Sequence, residues 1–201
     1  GGGDASITTS RGKWDSVVAG DGLPDGYAVG FDSDDAWRIG VFLNTGVQLK
    51  SGGGDVFIAG AHGLAAPGDY GHILLNAGTV VDSGAGRIAM WGRSLTQIAT
   101  RGITLHWGNG GEPTIITSNA PSSDAISIYS DSSVGASWSR GISAVWHADK
   151  NSSRGWQGTQ ILATAPGGGI SMTGIGSSTA SNDAIGIALD FADVLTIDGP
   201  I

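Results

Sequence analysis

Residues 51–60 read SGGGDVFIAG: three glycines, an aspartate, and an apolar run in which Val56 and Ile58 alternate with Phe57 and Ala59. The same construction opens the chain as GGGDASITT, returns as GAGRIAMWG at 84–92, and recurs as GGGISMTG at 167–174. Used once, such a stretch suggests a phosphate loop or a catalytic turn. Used four times in 201 residues, it is an architectural unit.

The four copies superpose on a glycine-bounded template with two inward apolar positions: Ala5 and Ile7, Val56 and Ile58, Ile88 and Met90, Ile170 and Met172. Alternation with period two between glycines predicts a short strand with one buried face. A second template precedes the glycine motif. VFLNTGVQLKSG (41–52) aligns without gaps to ILLNAGTVVDSG (73–84), matching Asn44 with Asn76, Gly46 with Gly78 and Ser51 with Ser83. SSDAISIYSD (122–131) and SNDAIGIALD (181–190) form a third pair.

From Ala5 to Val56, Ile88 and Ile170 the glycine motif steps by 51, 32 and 82 residues. Irregular spacing of a regular strand motif is the signature of a solenoid whose coils are fixed while one corner grows. A sandwich has no need of the same turn chemistry so many times. The reading is therefore an all-β solenoid spanning residues 1–201 as one unit. Residues 11–38 are a Gly-, Pro- and Asp-rich loop insertion, and about 25 residues per coil give seven or eight coils. Glycines at the GGG corners, and Asn44 and Asn76 at another, are expected to take the positive φ that tight corners need. Asn44 stacked on Asn76 would form a side-chain ladder.

Composition agrees. The 36 glycines are more than twice the roughly 7% of average usage. There are seventeen Asp but one Glu and three Lys, so good helix formers are scarce beside residues that favour turns. The net charge of −8 argues against nucleic acid or an anionic membrane surface as partner, since either requires clustered Lys and Arg. With no cysteine, disulfides and Cys-ligated metals are excluded. No apolar run reaches the ~18 residues of a membrane span, and no signal peptide is recognisable. The chain lacks an initiator Met and stops within a pattern, which leads to the expectation that it is an interior piece of something longer.

The cadence GGGDVFIAG…GHILLNAGTVVDSGAGRIAMWG resembles the repeats of filamentous-haemagglutinin-like exoproteins, the large bacterial adhesins of two-partner secretion, and the related passenger repeats of autotransporters. The resemblance is clearest over residues 40–92 and 167–198. It implies a right-handed parallel β-helix outside a Gram-negative-type cell, serving as stalk or adhesive surface. The N-terminal secretion domain of such proteins is not recognisable here.

Asp21, Asp25, Asp32, Asp34 and Asp35 could supply oxygen ligands for calcium, but their spacing fits neither the EF-hand nor the nonapeptide calcium repeat. A solvated acidic loop is the preferred reading. Asp4, Asp55, Asp124, Asp131, Asp183 and Asp190 recur beside Gly or Ser, where turn chemistry is favoured over the paired carboxylates of a polysaccharide lyase or hydrolase. His62, His72, His106 and His147 are isolated and read as surface or strand residues. There is no G-x-S-x-G nucleophile motif, and GGGD lacks the Lys of a phosphate cradle. Of the seven tryptophans (Trp14, Trp37, Trp91, Trp107, Trp138, Trp146, Trp156), Trp91, Trp107 and Trp146 follow strand residues and are expected on an outer face. There they would stack on sugars or pack against a neighbour; the preferred, plainer reading of the tryptophans is that they cover the loop insertions as small satellite cores.

These observations favour a non-enzymatic extracellular surface protein of a bacterium, with no catalytic, cofactor or metal site. Its partners would be a host or neighbouring-cell surface or a glycan, with end-to-end self-association through open strand edges, and with no membrane insertion. A structural filament subunit and a β-helical polysaccharide lyase or hydrolase are the alternatives. Ice binding fits poorly, because the threonines form no T-x-T ladder.

Overall fold

The computed structural model describes residues 5–7, 28–30, 39–62, 71–94, 101–107, 112–134, 139–146, 158–177, 184–190 and 192–201. All regular structure among them is strand. Two short strands come first, β1 (Ala5–Ile7) and β2 (Ala28–Gly30). The first full coil is β3 (Val41–Leu43), β4 (Gln48–Lys50) and β5 (Val56–His62), and the second is β6 (Ile73–Leu75), β7 (Val80–Asp82) and β8 (Ile88–Ser94). The third is β9 (Ile103–Trp107), β10 (Ile115–Ser118) and β11 (Ile126–Asp131), and the fourth is β12 (Arg140–Trp146), β13 (Thr159–Pro166) and β14 (Ile170–Ile175). A fifth contributes β15 (Ile185–Leu189) and β16 (Ala192–Ile197).

Every third strand pairs with its counterpart one coil on, always parallel, giving three faces. The first face is β3-β6-β9-β12-β15, the second is β4-β7-β10-β13-β16, and the third is β1-β5-β8-β11-β14 with β2 also on β5. This is a right-handed parallel β-helix. The register found by aligning the sequence to itself is the register of the sheets: Val41 pairs with Ile73, Gln48 with Val80, and Val56 with both Ala5 and Ile88.

The coils are fewer and longer than the seven or eight expected. Successive partners on the first face, Val41, Ile73, Ile103, Ile142 and Ile187, step by 32, 30, 39 and 45 residues. The step of 82 between Ile88 and Ile170 is two coils, because Ile126 pairs with both. That pairing also revises the third sequence repeat. Residues 122–131 supply β11 on the third face, whereas 181–190 supply β15 on the first, so the likeness of the two stretches is not a likeness of position. Within the stretch read as an insertion, Ala28–Gly30 form β2 against Gly60, Ala61 and His62; its other residues lie outside those described.

One core runs along the axis. Val56, Ile58, Ile73, Leu75, Val81, Ile88, Met90, Ile103, Leu105, Ile116, Ile126, Ile142 and Ile161 are fully buried in a single cluster. Each is the inward partner of the residue above and below it, and each such burial contributes about 1.5–3 kcal/mol relative to exposure. In the fifth coil the same inward positions are open: Ile187 is 38% and Leu189 40% exposed, although their partners Ile142 and Ala144 are buried.

The corners are made by glycine and side-chain hydrogen bonds together. In the GGG corner Gly52 and Gly53 have φ of 71° and 115°, as expected. At the other corner the expectation fails, because positive φ falls on Gly46 (75°) and Gly78 (70°), not on Asn44 and Asn76. With no Cβ to clash, glycine adopts this region at least cost. The asparagines instead accept from the next backbone N–H, Thr45 N to Asn44 Oδ1 at 2.8 Å and Ala77 N to Asn76 Oδ1 at 3.0 Å. Their ladder does form, with Asn76 Nδ2 donating to Asn44 Oδ1 at 3.3 Å.

Candidate functional site

Outward-pointing residues decide what this molecule offers to a ligand. At the corner leading into the third face, Asp55, Arg87 and Asp124 come from three successive coils. Arg87 donates its backbone N–H to Asp55 Oδ1 at 2.8 Å and its guanidinium to Asp55 Oδ2 at 2.9 Å, and reaches Asp124 Oδ2 at 3.3 Å. Burial by itself would raise the Asp55 pKa, but the backbone N–H and guanidinium of Arg87 turn the net shift downward. Asp124 is also lowered, first by the hydroxyl of Ser122 and then by the charge of Arg87. Both carboxylates are therefore held ionised and paired, which suits an axial brace and leaves neither poised as a proton donor. The Asp55 bonds to Arg87 run to the next coil, beyond the turn chemistry expected of this residue.

Elsewhere aspartate does perform turn chemistry. Asp82 accepts from Gly84 N and Asp131 from Ser133 N, both at 2.9 Å. Asp190 follows β15 directly, and its backbone N–H donates to Ala144 O at 2.8 Å. Asp4, Asp183 and the acidic set Asp21, Asp25, Asp32, Asp34 and Asp35 lie outside the described residues. Among the described residues no three His, Asp or Glu side chains gather as a metal site.

Histidine placement was only partly legible. His72, read as a surface or strand residue, is completely buried just before β6, with Nδ1 3.2 Å from Ser130 Oγ on β11. His106 is half-buried on β9. His62 lies on β5, and His147 lies outside the described residues. The buried position of His72 was hidden because its room comes from a distant residue, Gly92.

The aromatic residues correct the sequence reading at one point. Trp91 is 5% exposed, although outward-pointing. It meets Phe57, one coil earlier, edge to face, with ring centroids 4.8 Å apart and planes at 80°. With Ala59 and Ala89 these two rings form a second cluster on the outside of the third face, and Tyr129 packs against it half-buried. Trp107 and Trp146 sit opposite each other on β9 and β12; Trp14, Trp37, Trp138 and Trp156 lie outside the described residues.

A hollow of about 380 Å³ opens at the corner between the first and second faces, lined by Thr45, Gln48, Ala77, Val80, Glu112 and Ile115 among others. Glu112 is its one ionisable group, so it brings no acid and base together. The described outer surface thus offers a braced ion ladder, a shallow apolar hollow and an aromatic patch grading into polar residues. Comparisons with family models, with curated proteins and with solved structures found no match to this chain. The class defined by the fold is the parallel β-helical solenoid.

Proposed function

We propose that this chain is a non-enzymatic segment of a large exported bacterial surface protein, acting as stalk and adhesive face outside the cell. Its partners would be host or neighbouring-cell surfaces or their glycans. The carrying observation is the unbroken axial core from Val41 to Val194, wrapped by three ladders of parallel pairing. Such a stack resists extension along its axis, since each coil is hydrogen-bonded to the next on three faces, and it frees the outward side chains for recognition. The likeness of residues 40–92 and 167–198 to adhesin repeats supports the same reading.

The test is adhesion itself. Beads coated with the folded chain should bind bacterial or epithelial cells above the level of beads coated with the heat-unfolded chain. Equal binding by both preparations overturns the proposal.

A further inference from the structure

The outer surface of the third face changes character along the axis. At the middle outward position the residues in register are Ala59, Trp91, Tyr129 and Thr173. The first two are buried, Tyr129 is half-buried, and Thr173 is exposed. Trp91 therefore backs one side of Tyr129, while the neighbour on the other side is a small hydroxyl residue. The result is a step: an aromatic wall above a floor of Thr173 and the exposed Ser171.

Two residues along the strand, on the same side of the sheet, Asp131 stands directly opposite Arg93. They are in register on adjacent strands, yet neither ion pair among the described residues joins them. Asp131 is oriented by accepting from Ser133 N through Oδ1 at 2.9 Å, which leaves Oδ2 to accept a further donor. The spacings of a sheet, about 4.8 Å between strands and about 6.6 Å between alternate residues, spread Thr173, Tyr129, Asp131 and Arg93 over about 12 Å of surface, the reach of a short oligosaccharide with one ring on Tyr129.

We infer that the outer face of β8, β11 and β14 is a saccharide subsite, in which Tyr129 stacks on the C–H face of a sugar ring while Arg93 and Asp131 bind adjacent hydroxyls. A guanidinium donates and a carboxylate accepts, so a pair held apart across a gap matches a vicinal diol, whose two hydroxyls do both. An aromatic ring supplies the apolar half of the recognition. The net charge of −8 selects against polyanions, so the ligand class is a neutral hexose polymer. Ser171 and Thr173 hydroxyls extend the site along the floor. The inference deepens the adhesive reading by naming a ligand class and a place for it.

The test is affinity electrophoresis through gels containing mixed-linkage β-glucan, galactomannan, dextran or polygalacturonate, alongside the bead-adhesion assay. At least one neutral polymer should retard the chain. Tyr129→Ala should weaken retardation at least tenfold, and Asp131→Asn severalfold, with melting of the Asp131→Asn variant near wild type. Thr173→Trp, which fills the step from an exposed position, should block binding without unfolding. Absence of retardation in every neutral gel, retardation by polygalacturonate alone, or equal retardation of wild type and variants overturns the subsite. Wild-type beads that adhere while Tyr129→Ala beads adhere equally refute the subsite and leave the adhesive reading standing. Retardation without cell adhesion does the reverse.

Discussion

Arg87 grips Asp55 of the preceding coil with both its backbone and its guanidinium, at 2.8 and 2.9 Å, and so joins two turns that are 32 residues apart in the chain. Because the folded-state pKa of Asp55 is lowered from its ordinary 3.8, its contribution to stability is complete well above that value. It is lost as the pH falls through the lower folded-state value. Asp55→Asn should cost at most about 1 kcal/mol at neutral pH, since the pair is partly exposed and screened by salt. Urea melts of wild type and variant should differ at pH 7 and converge as the pH falls below the lowered folded-state value; a gap that persists in strong acid refutes this account.

Gly92 and His72 make a second axial lock. A Cβ at Gly92 would lie 2.7 Å from His72 Nδ1 and 2.8 Å from Ile103 Cγ1, so Gly92→Ala should displace buried atoms in two coils. Gly46, at φ 75° with open space around it, should tolerate alanine at only about 1–2 kcal/mol of backbone strain. Thermal melts should rank Gly92→Ala well below Gly46→Ala. The opposite order would show that backbone strain, not crowding, limits these positions.

Ser130→Ala removes the 3.2 Å partner of a completely buried imidazole. Leaving a buried polar atom without that bond should cost about 1–3 kcal/mol, read as a lower denaturation midpoint with an unchanged urea slope. A cost near zero would mean that the Ser130 bond carries no net stability.

Ile58 in the first coil and Ile128 in the third, both buried in the axial core, should each lose about 2–5 kcal/mol on substitution by alanine. A solenoid whose coils are coupled by parallel pairing unfolds as neighbours do, so both variants should lower the same transition. Two separated transitions in either variant would show that the coils are not one cooperative unit.

The sequence by itself determined the class of fold and much of the register. Alternation between glycines announces strands, and the self-alignment of 41–52 with 73–84 is the sheet pairing itself, because stacked coils place like residues on like residues. It also determined the Asn44–Asn76 ladder, which is a direct product of that alignment. The number of coils was decided only by the fold, since a 45-residue and a 32-residue coil present the same strand motifs and differ only in corners that carry no signal. Tertiary structure alone decided that 122–131 and 181–190 serve different faces, that Trp91 is buried in edge-to-face contact with Phe57, and that His72 occupies the room left by Gly92. The same holds for the Tyr129 step: its members lie at 93, 129, 131, 171 and 173, and only the pairing of β8, β11 and β14 makes them neighbours. Local patterning fixes what repeats every two residues or every coil. It is silent on which outward side chain meets which, because that depends on the length of every loop between them.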